Sequence, residues 1–116
     1  MGRLTTHVLD TARGRPAAGL ALELAALEPA RRVLVSAVTN ADGRLDGPLL
    51  EGDACAPGRY ELVFRAAAYH RAVGLPLAEP PFLDEVVIRF AIAAADGHYH
   101  VPLLLSPWSY TTYRGS

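Results

Sequence analysis

The chain has 116 residues, of which 51% are hydrophobic, and its formal net charge is −1. This length fits a single domain over residues 1–116 with one core, but it leaves little chain with which to enclose a deep cleft. All 11 basic residues are arginines, and they form no basic stripe. The balance of charge speaks against nucleic acids and anionic membranes as partners and favours a small molecule or another copy of the chain.

Short segments in which polar and apolar residues alternate predict β-strands along most of the chain. In chain order they are residues 4–8, 20–25, 33–36, 60–65, 85–92, 98–104 and 109–113. Glycine, proline, asparagine and aspartate cluster between them, as at residues 40–43, and these residues favour turns. The alanine-rich segment 66–73 predicts one short helix. About seven strands with such turns predict an all-β sandwich.

The single cysteine, Cys55, cannot form an internal disulfide, and we expect it to be a small buried residue in a reducing compartment. The first residues lack the charged segment and apolar run of a signal peptide, and no stretch approaches the roughly 20 apolar residues that span a bilayer. We therefore expect a cytoplasmic protein that does not insert into membranes.

Three histidines and one arginine fall on predicted strands or beside a predicted turn. His7 lies in the first strand, Arg44 follows the turn at 40–43, and His98 and His100 share one face of a later strand. A neutral imidazole with a pKa of about 6.5 can take a proton from water. An arginine can hold a carbonyl-rich substrate and stabilise an oxyanion. The set indicates hydrolysis of an amide without a covalent nucleophile, although a single strand histidine is more often a hydrogen-bonded structural residue.

The last four residues, Tyr-Arg-Gly-Ser, bring a phenol, a guanidinium, a hydroxyl and the α-carboxylate together. Their composition favours a functional tail, although a last strand that simply ends would leave similar residues. Ser116 has no Gly-x-Ser-x-Gly elbow around it, so we expect it to position substrate rather than to act as a nucleophile.

Zinc offers an alternative use of His7, His98 and His100, because three imidazoles and a bound water form a hydrolytic metal site. Against this, His7 is distant in sequence, and a nearby Arg44 would oppose a dication. A site without a metal is the preferred interpretation.

Four segments together resemble a known family: Leu-Thr-Thr-His-Val-Leu-Asp at 4–10, Thr-Asn-Ala-Asp-Gly-Arg at 39–44, His-Tyr-His-Val-Pro-Leu-Leu-Leu-Ser-Pro at 98–107 and Tyr-Arg-Gly-Ser at 113–116. In this order, over nearly the whole chain, they resemble the 5-hydroxyisourate hydrolases, the transthyretin-related enzymes of urate breakdown. The resemblance implies a transthyretin-like sandwich of two four-stranded sheets and a homotetramer with active sites at the dimer-dimer interface. It also implies hydrolysis of 5-hydroxyisourate to 2-oxo-4-hydroxy-4-carboxy-5-ureidoimidazoline with neither metal nor cofactor.

The resemblance also assigns roles to individual residues. The catalytic residues that it implies are His7, Arg44, His100 and Ser116, and the substrate-binding residues are Arg44, Tyr113, Arg114 and Ser116. His98 matches less firmly, because the essential histidine of the motif directly precedes Val-Pro. The two histidines would activate and orient a water, and which of them is the base stays open.

A rival function remains within the same fold, since transthyretins are carriers that bind a ligand without chemistry. Carriers lack the terminal Tyr-Arg-Gly-Ser and the histidine and arginine set, so this chain resembles the enzymes. The leucines at 103–105 break the polar alternation, which predicts a strand covered on both faces, one of them by a neighbouring subunit. Burial within one chain is the alternative.

Overall fold

The computed structural model describes residues 1–115, and Ser116 lies outside them. Nine strands and one α-helix occur in this part of the chain. They are β1 (Arg3–Asp10), β2 (Arg15–Pro16), β3 (Ala21–Ala26), β4 (Arg32–Val38), β5 (Leu50–Glu51), β6 (Gly58–Phe64), α1 (Ala66–Ala72), β7 (Val86–Ile92), β8 (His98–Leu105) and β9 (Tyr110–Thr112). Every predicted strand overlaps an observed one, and the short helix is confirmed. The two-residue strands β2 and β5 were not predicted, because two residues cannot display an alternation.

The strands form two sheets, as expected for a sandwich. In the second sheet the order is β4-β3-β6-β7, and every pair is antiparallel. In the first sheet β1 pairs with β8 in parallel, and β9 continues the sheet beyond β8. The described part of this sheet has five strands rather than the expected four, because β2 and β5 pair with opposite ends of β1.

The core lies between the two sheets, and alternation decides which side chains enter it. On β1, Leu4, Thr6 and Val8 are buried, whereas the alternate residues Thr5 and His7 point to the outer face of the first sheet. The same alternation buries Leu103 and Leu105 and leaves Leu104 half-buried on the outer face. The leucine run is therefore shared between the core and the outer face, and its cover by a second subunit stays a prediction.

Helix α1 packs its buried side against the end of β1. The Tyr69 hydroxyl donates a 2.7 Å hydrogen bond to the buried Asp10 carboxylate, which also accepts the Arg13 N–H at 3.0 Å. Burial and this carboxylate raise the pKa of Tyr69 to about 12. The neighbouring His70 ring is fully buried, and neither ring nitrogen has a hydrogen-bond partner in the described part of the chain. Cys55 is buried, as expected.

Within residues 1–115, no helix is both long enough and apolar enough to cross a membrane.

Candidate active site

The parallel pairing of β1 with β8 brings two distant segments into one polar row. In its register Arg3 lies opposite His98, Thr5 opposite His100, and His7 opposite Pro102. Alternate residues of a strand share a face, so the side chains of Thr5, His7, His98 and His100 all lie on the outer face of the first sheet. We call this surface, with Arg3 and Arg44, the histidine face.

Arg44 reaches the histidine face through the turn predicted at 40–43. The side-chain oxygen of Asn40 accepts the N–H groups of Asp42 and Arg44 at 2.9 and 3.2 Å. Gly43 has φ 73°, and a Cβ there would lie 2.4 Å from the carbonyl oxygen of Val8, so only glycine fits. The turn therefore closes directly on β1, where Arg44 bridges to residue 7 of that strand.

The same turn fixes the ring of His7. Its Nε2 lies 3.0 Å from the carbonyl oxygen of Asp42. Because a carbonyl only accepts hydrogen bonds, Nε2 carries the hydrogen and Nδ1 of His7 keeps its lone pair in the neutral ring.

His100 is held from two sides. Its Nδ1 lies 2.7 Å from Oγ1 of Thr5, and its carbonyl oxygen accepts the N–H of Gly115 at 2.8 Å. A Cβ on Gly115 would lie 2.7 Å from Cδ2 of the imidazole, so the tail lies flat against the ring. Burial lowers the pKa of His100, and the positive charges of Arg44, His7 and His98 lower it further. The ring is therefore a neutral base at neutral pH.

A cleft of about 420 Å³ opens beside this ring. It is lined by Arg3, Thr5, Thr6, Arg44, Leu45, Asp46, Gly47, His98 and His100. Its volume suits one small heterocycle, and its charged lining is mostly cationic. Three predicted site residues, Arg44, His98 and His100, line it. His7 does not line it, although its backbone bridges to Arg44, which does.

Tyr113 and Arg114 lie in the wall of a neighbouring cleft of about 400 Å³. The Arg114 guanidinium stacks over the ring of Tyr99, 4.1 Å from its centroid, and donates a long 3.4 Å hydrogen bond to the carbonyl of His98. The structure thus does not bring these two side chains into the histidine cleft, and their substrate-binding roles stay predictions. The predicted role of Ser116 lies outside the described residues.

Six lining residues of the cleft were not predicted, and two of them, Arg3 and Thr5, lie on the histidine face of β1. Threonine is common in strands and carries no signal of its own. The available signal was position, since Arg3 and Thr5 alternate with the core residues of β1 and share a face with His7.

No three histidine, cysteine, aspartate or glutamate side chains within residues 1–115 are grouped so as to hold a metal ion. In this part of the chain, nothing supports the zinc alternative.

Comparison with known proteins agrees with this geometry. A family model described as the HIUase/Transthyretin family matches residues 4–115. A curated 5-hydroxyisourate hydrolase 2 of Rhizobium meliloti is 62% identical over 99% of this chain and 97% of its own length. A 5-hydroxyisourate hydrolase of Pseudomonas aeruginosa is 58% identical over 100% of this chain and 93% of its own length.

Solved structures show the same fold. An (S)-allantoin synthase matches with a TM-score of 0.95 and 46% identity over 99% of this chain, which spans only 44% of that longer chain. The 5-hydroxyisourate hydrolase of Klebsiella pneumoniae matches with a TM-score of 0.83 and 32% identity, over 100% of both chains. A sea bream transthyretin in complex with thyroxine matches with a TM-score of 0.84 and 30% identity, over 97% of this chain and 94% of its own. From its strand order, its histidine face and these matches, the chain belongs to the HIUase/Transthyretin family.

Proposed function

We propose that this chain hydrolyses 5-hydroxyisourate to 2-oxo-4-hydroxy-4-carboxy-5-ureidoimidazoline in urate breakdown. The observation that carries the proposal is the open cleft that His100 and Arg44 line together. Burial and neighbouring positive charges lower the pKa of this imidazole, which favours its neutral form. The names of the relatives that are 62% and 58% identical to the chain supply the substrate. The reaction adds water across a ring amide and breaks its C–N bond.

In the first step Nε2 of His100 takes a proton from water while the water oxygen attacks a ring carbonyl. Nδ1 is occupied by Thr5, and Nε2 has no hydrogen-bond partner within the described residues, so Nε2 is the nitrogen available for this transfer. The carbonyl oxygen becomes an oxyanion, and the fixed positive charge of Arg44 stabilises it. Arg44 also binds the carbonyl-rich substrate.

In the second step the C–N bond breaks, and its electron pair moves to the ring nitrogen. That nitrogen needs a proton, which the His100 imidazolium returns. His7 orients the water through Nδ1, which its contact with Asp42 leaves available. A positive charge on His7 also disfavours the charged form of His100.

Tyr113, Arg114 and Ser116 complete the site from the tail in this proposal. Arg114, stacked on Tyr99, holds residue 115 against the His100 ring, and Ser116 follows directly in the chain. Arg114 then acts on the substrate through the position of the tail, while Tyr113 and Ser116 close the cleft and orient the substrate.

We further propose a homotetramer with its sites at the dimer-dimer interface, located in the cytoplasm. A cleft open on the outer face of one sheet, with half-buried Leu104 on that face, supports closure by another copy. The single, buried Cys55 supports a reducing compartment. Light scattering should give the mass of four chains at micromolar concentration, and a stable monomer would contradict the shared site.

The function is tested by producing 5-hydroxyisourate from urate with urate oxidase and following its ultraviolet decay. The protein should accelerate the decay, a chelator should leave the rate unchanged, and the His100→Asn variant should serve as a matched inactive control. Binding without acceleration would indicate a carrier instead, and loss of activity with chelator would restore the zinc alternative.

A further inference from the structure

We propose that Thr5 is a positioning residue that fixes His100 in the tautomer with its hydrogen on Nδ1, which leaves Nε2 as the base. This inference rests on the proposed hydrolysis but concerns a residue to which neither the sequence motifs nor the relatives' names give a role.

The contact between Thr5 and His100 is set by the fold rather than by local sequence. The two residues are 95 positions apart in the sequence, and the parallel register of β1 and β8 places them directly opposite each other. The neighbouring Thr6 holds that register from the inner face, because its buried hydroxyl donates a 2.7 Å hydrogen bond to the carbonyl of Val101. Thr6 therefore bonds the backbone, whereas Thr5 bonds the imidazole.

The imidazole cannot easily turn away from Thr5. Gly115 lies so close to the ring that an added Cβ would be 2.7 Å from Cδ2 and 3.3 Å from Cγ. A ring flip would have to displace the tail. With Nδ1 held at 2.7 Å by Thr5, Nε2 is the nitrogen left for a water in the cleft.

The direction of the hydrogen bond follows from the catalytic cycle. After Nε2 has taken a proton, both ring nitrogens are donors, and Nδ1–H then needs an acceptor. A threonine oxygen that already accepts from Nδ1–H keeps its bond through the whole cycle. A threonine that donated to Nδ1 would instead face a second donor at the moment of proton transfer.

The charges around His100 make this acceptor important. The side chains that lower its pKa come from three elements: Arg44 from the turn, His7 from β1 and His98 from β8 itself. Asp46 lines the same cleft, but its carboxylate accepts a hydrogen bond from the Asn40 amide at 3.0 Å. In the described part of the chain, Thr5 is thus the side chain that forms a hydrogen bond with the His100 ring and stabilises the imidazolium.

The test compares Thr5→Val, which keeps the shape but not the hydroxyl, with Thr5→Ser, which keeps the hydroxyl. Thr5→Val should lower kcat by on the order of tenfold to a hundredfold with little change in KM, since a lost hydrogen bond to a charged ring has that effect on a rate. The acid limb of its pH profile should move to lower pH, because the imidazolium loses an acceptor. Thr5→Ser should restore most of the rate and the profile.

Thr112→Val is the matched control: it removes a threonine hydroxyl that donates a 2.8 Å hydrogen bond to the carbonyl of Pro102 on β8, but it leaves the ring contact alone. It should lower the melting temperature without moving the pH profile. Equal losses of kcat in Thr5→Val and Thr112→Val, with unmoved profiles, would show that both residues are merely structural and would overturn the proposal.

Nitrogen-15 NMR of the ring in the intact protein gives a readout that does not depend on turnover, with His100→Asn to identify the signals. The expected spectrum shows a hydrogen on Nδ1 of His100 in the wild type, and a mixture of tautomers in Thr5→Val. A wild-type ring with its hydrogen on Nε2 would overturn the proposal even if the Thr5 variant fails to fold. Absence of hydrolysis by the wild type would instead overturn the proposed function.

Discussion

The two outer faces of the sandwich both carry charged side chains. On one face these charges form ion pairs with each other, and on the other, within residues 1–115, the arginines do not. On the second sheet, Glu61 accepts hydrogen bonds from Arg31 at 2.8 Å and from Arg89 at 3.1 Å. The network continues through Glu23 and Arg65 to Glu85, and we call this surface the ion-pair face. On the histidine face, no ion pair within residues 1–115 involves Arg3 or Arg44. Paired charges stabilise a fold, whereas unpaired cations remain available to a substrate.

Each face contains one group whose pKa is lowered, but the lowered pKa favours the charged form of Glu61 and disfavours the charged form of His100. On the ion-pair face, the hydrogen bonds from Arg31 and then Arg89 lower the pKa of Glu61 and so stabilise its charge. On the histidine face, burial and neighbouring positive charges lower the pKa of His100 and so disfavour its charge. Glu61 therefore adds stability above its ordinary pKa that is lost as the pH falls through its lowered value. His100 keeps a neutral base available below pH 6.5.

The largest expected effect is a loss of activity when His100, on the histidine face, is replaced. His100→Asn should lower kcat/KM for 5-hydroxyisourate by on the order of 10²- to 10⁴-fold, because the variant has no base at this position. The melting temperature should hardly change, since the ring is only half-buried. The exposed His98, changed to Asn, is the matched control and should keep most of the activity. Equal losses in both variants would mean that the face acts only through its charge.

The ion-pair face should respond in the opposite sense. Glu61→Gln should lower the free energy of unfolding by about 1.5 to 3 kcal/mol, because charged hydrogen bonds to two arginines are weakened, and should leave kcat unchanged. Urea unfolding and steady-state kinetics on the same samples measure both. The exposed pair of Glu28 and Arg59 gives the control, since Glu28→Gln should cost less than about 1 kcal/mol. A large loss of activity in Glu61→Gln would contradict the claim that the ion-pair face contributes to stability alone.

Gly115→Ala tests whether the tail belongs to the histidine face. Its Cβ would lie 2.7 Å from Cδ2 of His100, so the ring or the tail must shift, and kcat should fall by about tenfold. Gly47→Ala is the control in the same cleft, because a Cβ there meets no atom within 4 Å. Full activity in Gly115→Ala would show that the tail lies against His100 without positioning it.

The smallest expected effect concerns His70, which lies under neither face. Neither nitrogen of its buried ring has a hydrogen-bond partner of good geometry in the described chain. Burial lowers its pKa, and the nearby Asp10 carboxylate and the backbone of Ser106 oppose this only in part. Below about pH 6.5, His70 binds a proton more readily in the unfolded chain than in the folded chain. The free energy of unfolding therefore falls as the pH drops below about 6.5. His70→Phe should stabilise the fold by about 1 kcal/mol at pH 7 and flatten this acid loss in thermal unfolding. A steeper acid loss in the variant would contradict this account.

The sequence by itself determined most of the secondary structure and the chemical character of the site. Alternation located the long strands, and the composition of residues 40–43 located the turn whose Gly43 must approach Val8. It also singled out His7, Arg44 and His100. These features are local, because a strand period or a turn depends on a few consecutive residues.

Only the tertiary structure decided which of these residues meet. Thr5 bonds His100 across 95 residues, Gly115 lies against the same ring, and Arg114 stacks on Tyr99 rather than lining the histidine cleft. Each contact depends on the parallel register of β1 with β8 or on the return of the chain after β9. No local pattern encodes a register between distant strands, because packing of the whole core selects it.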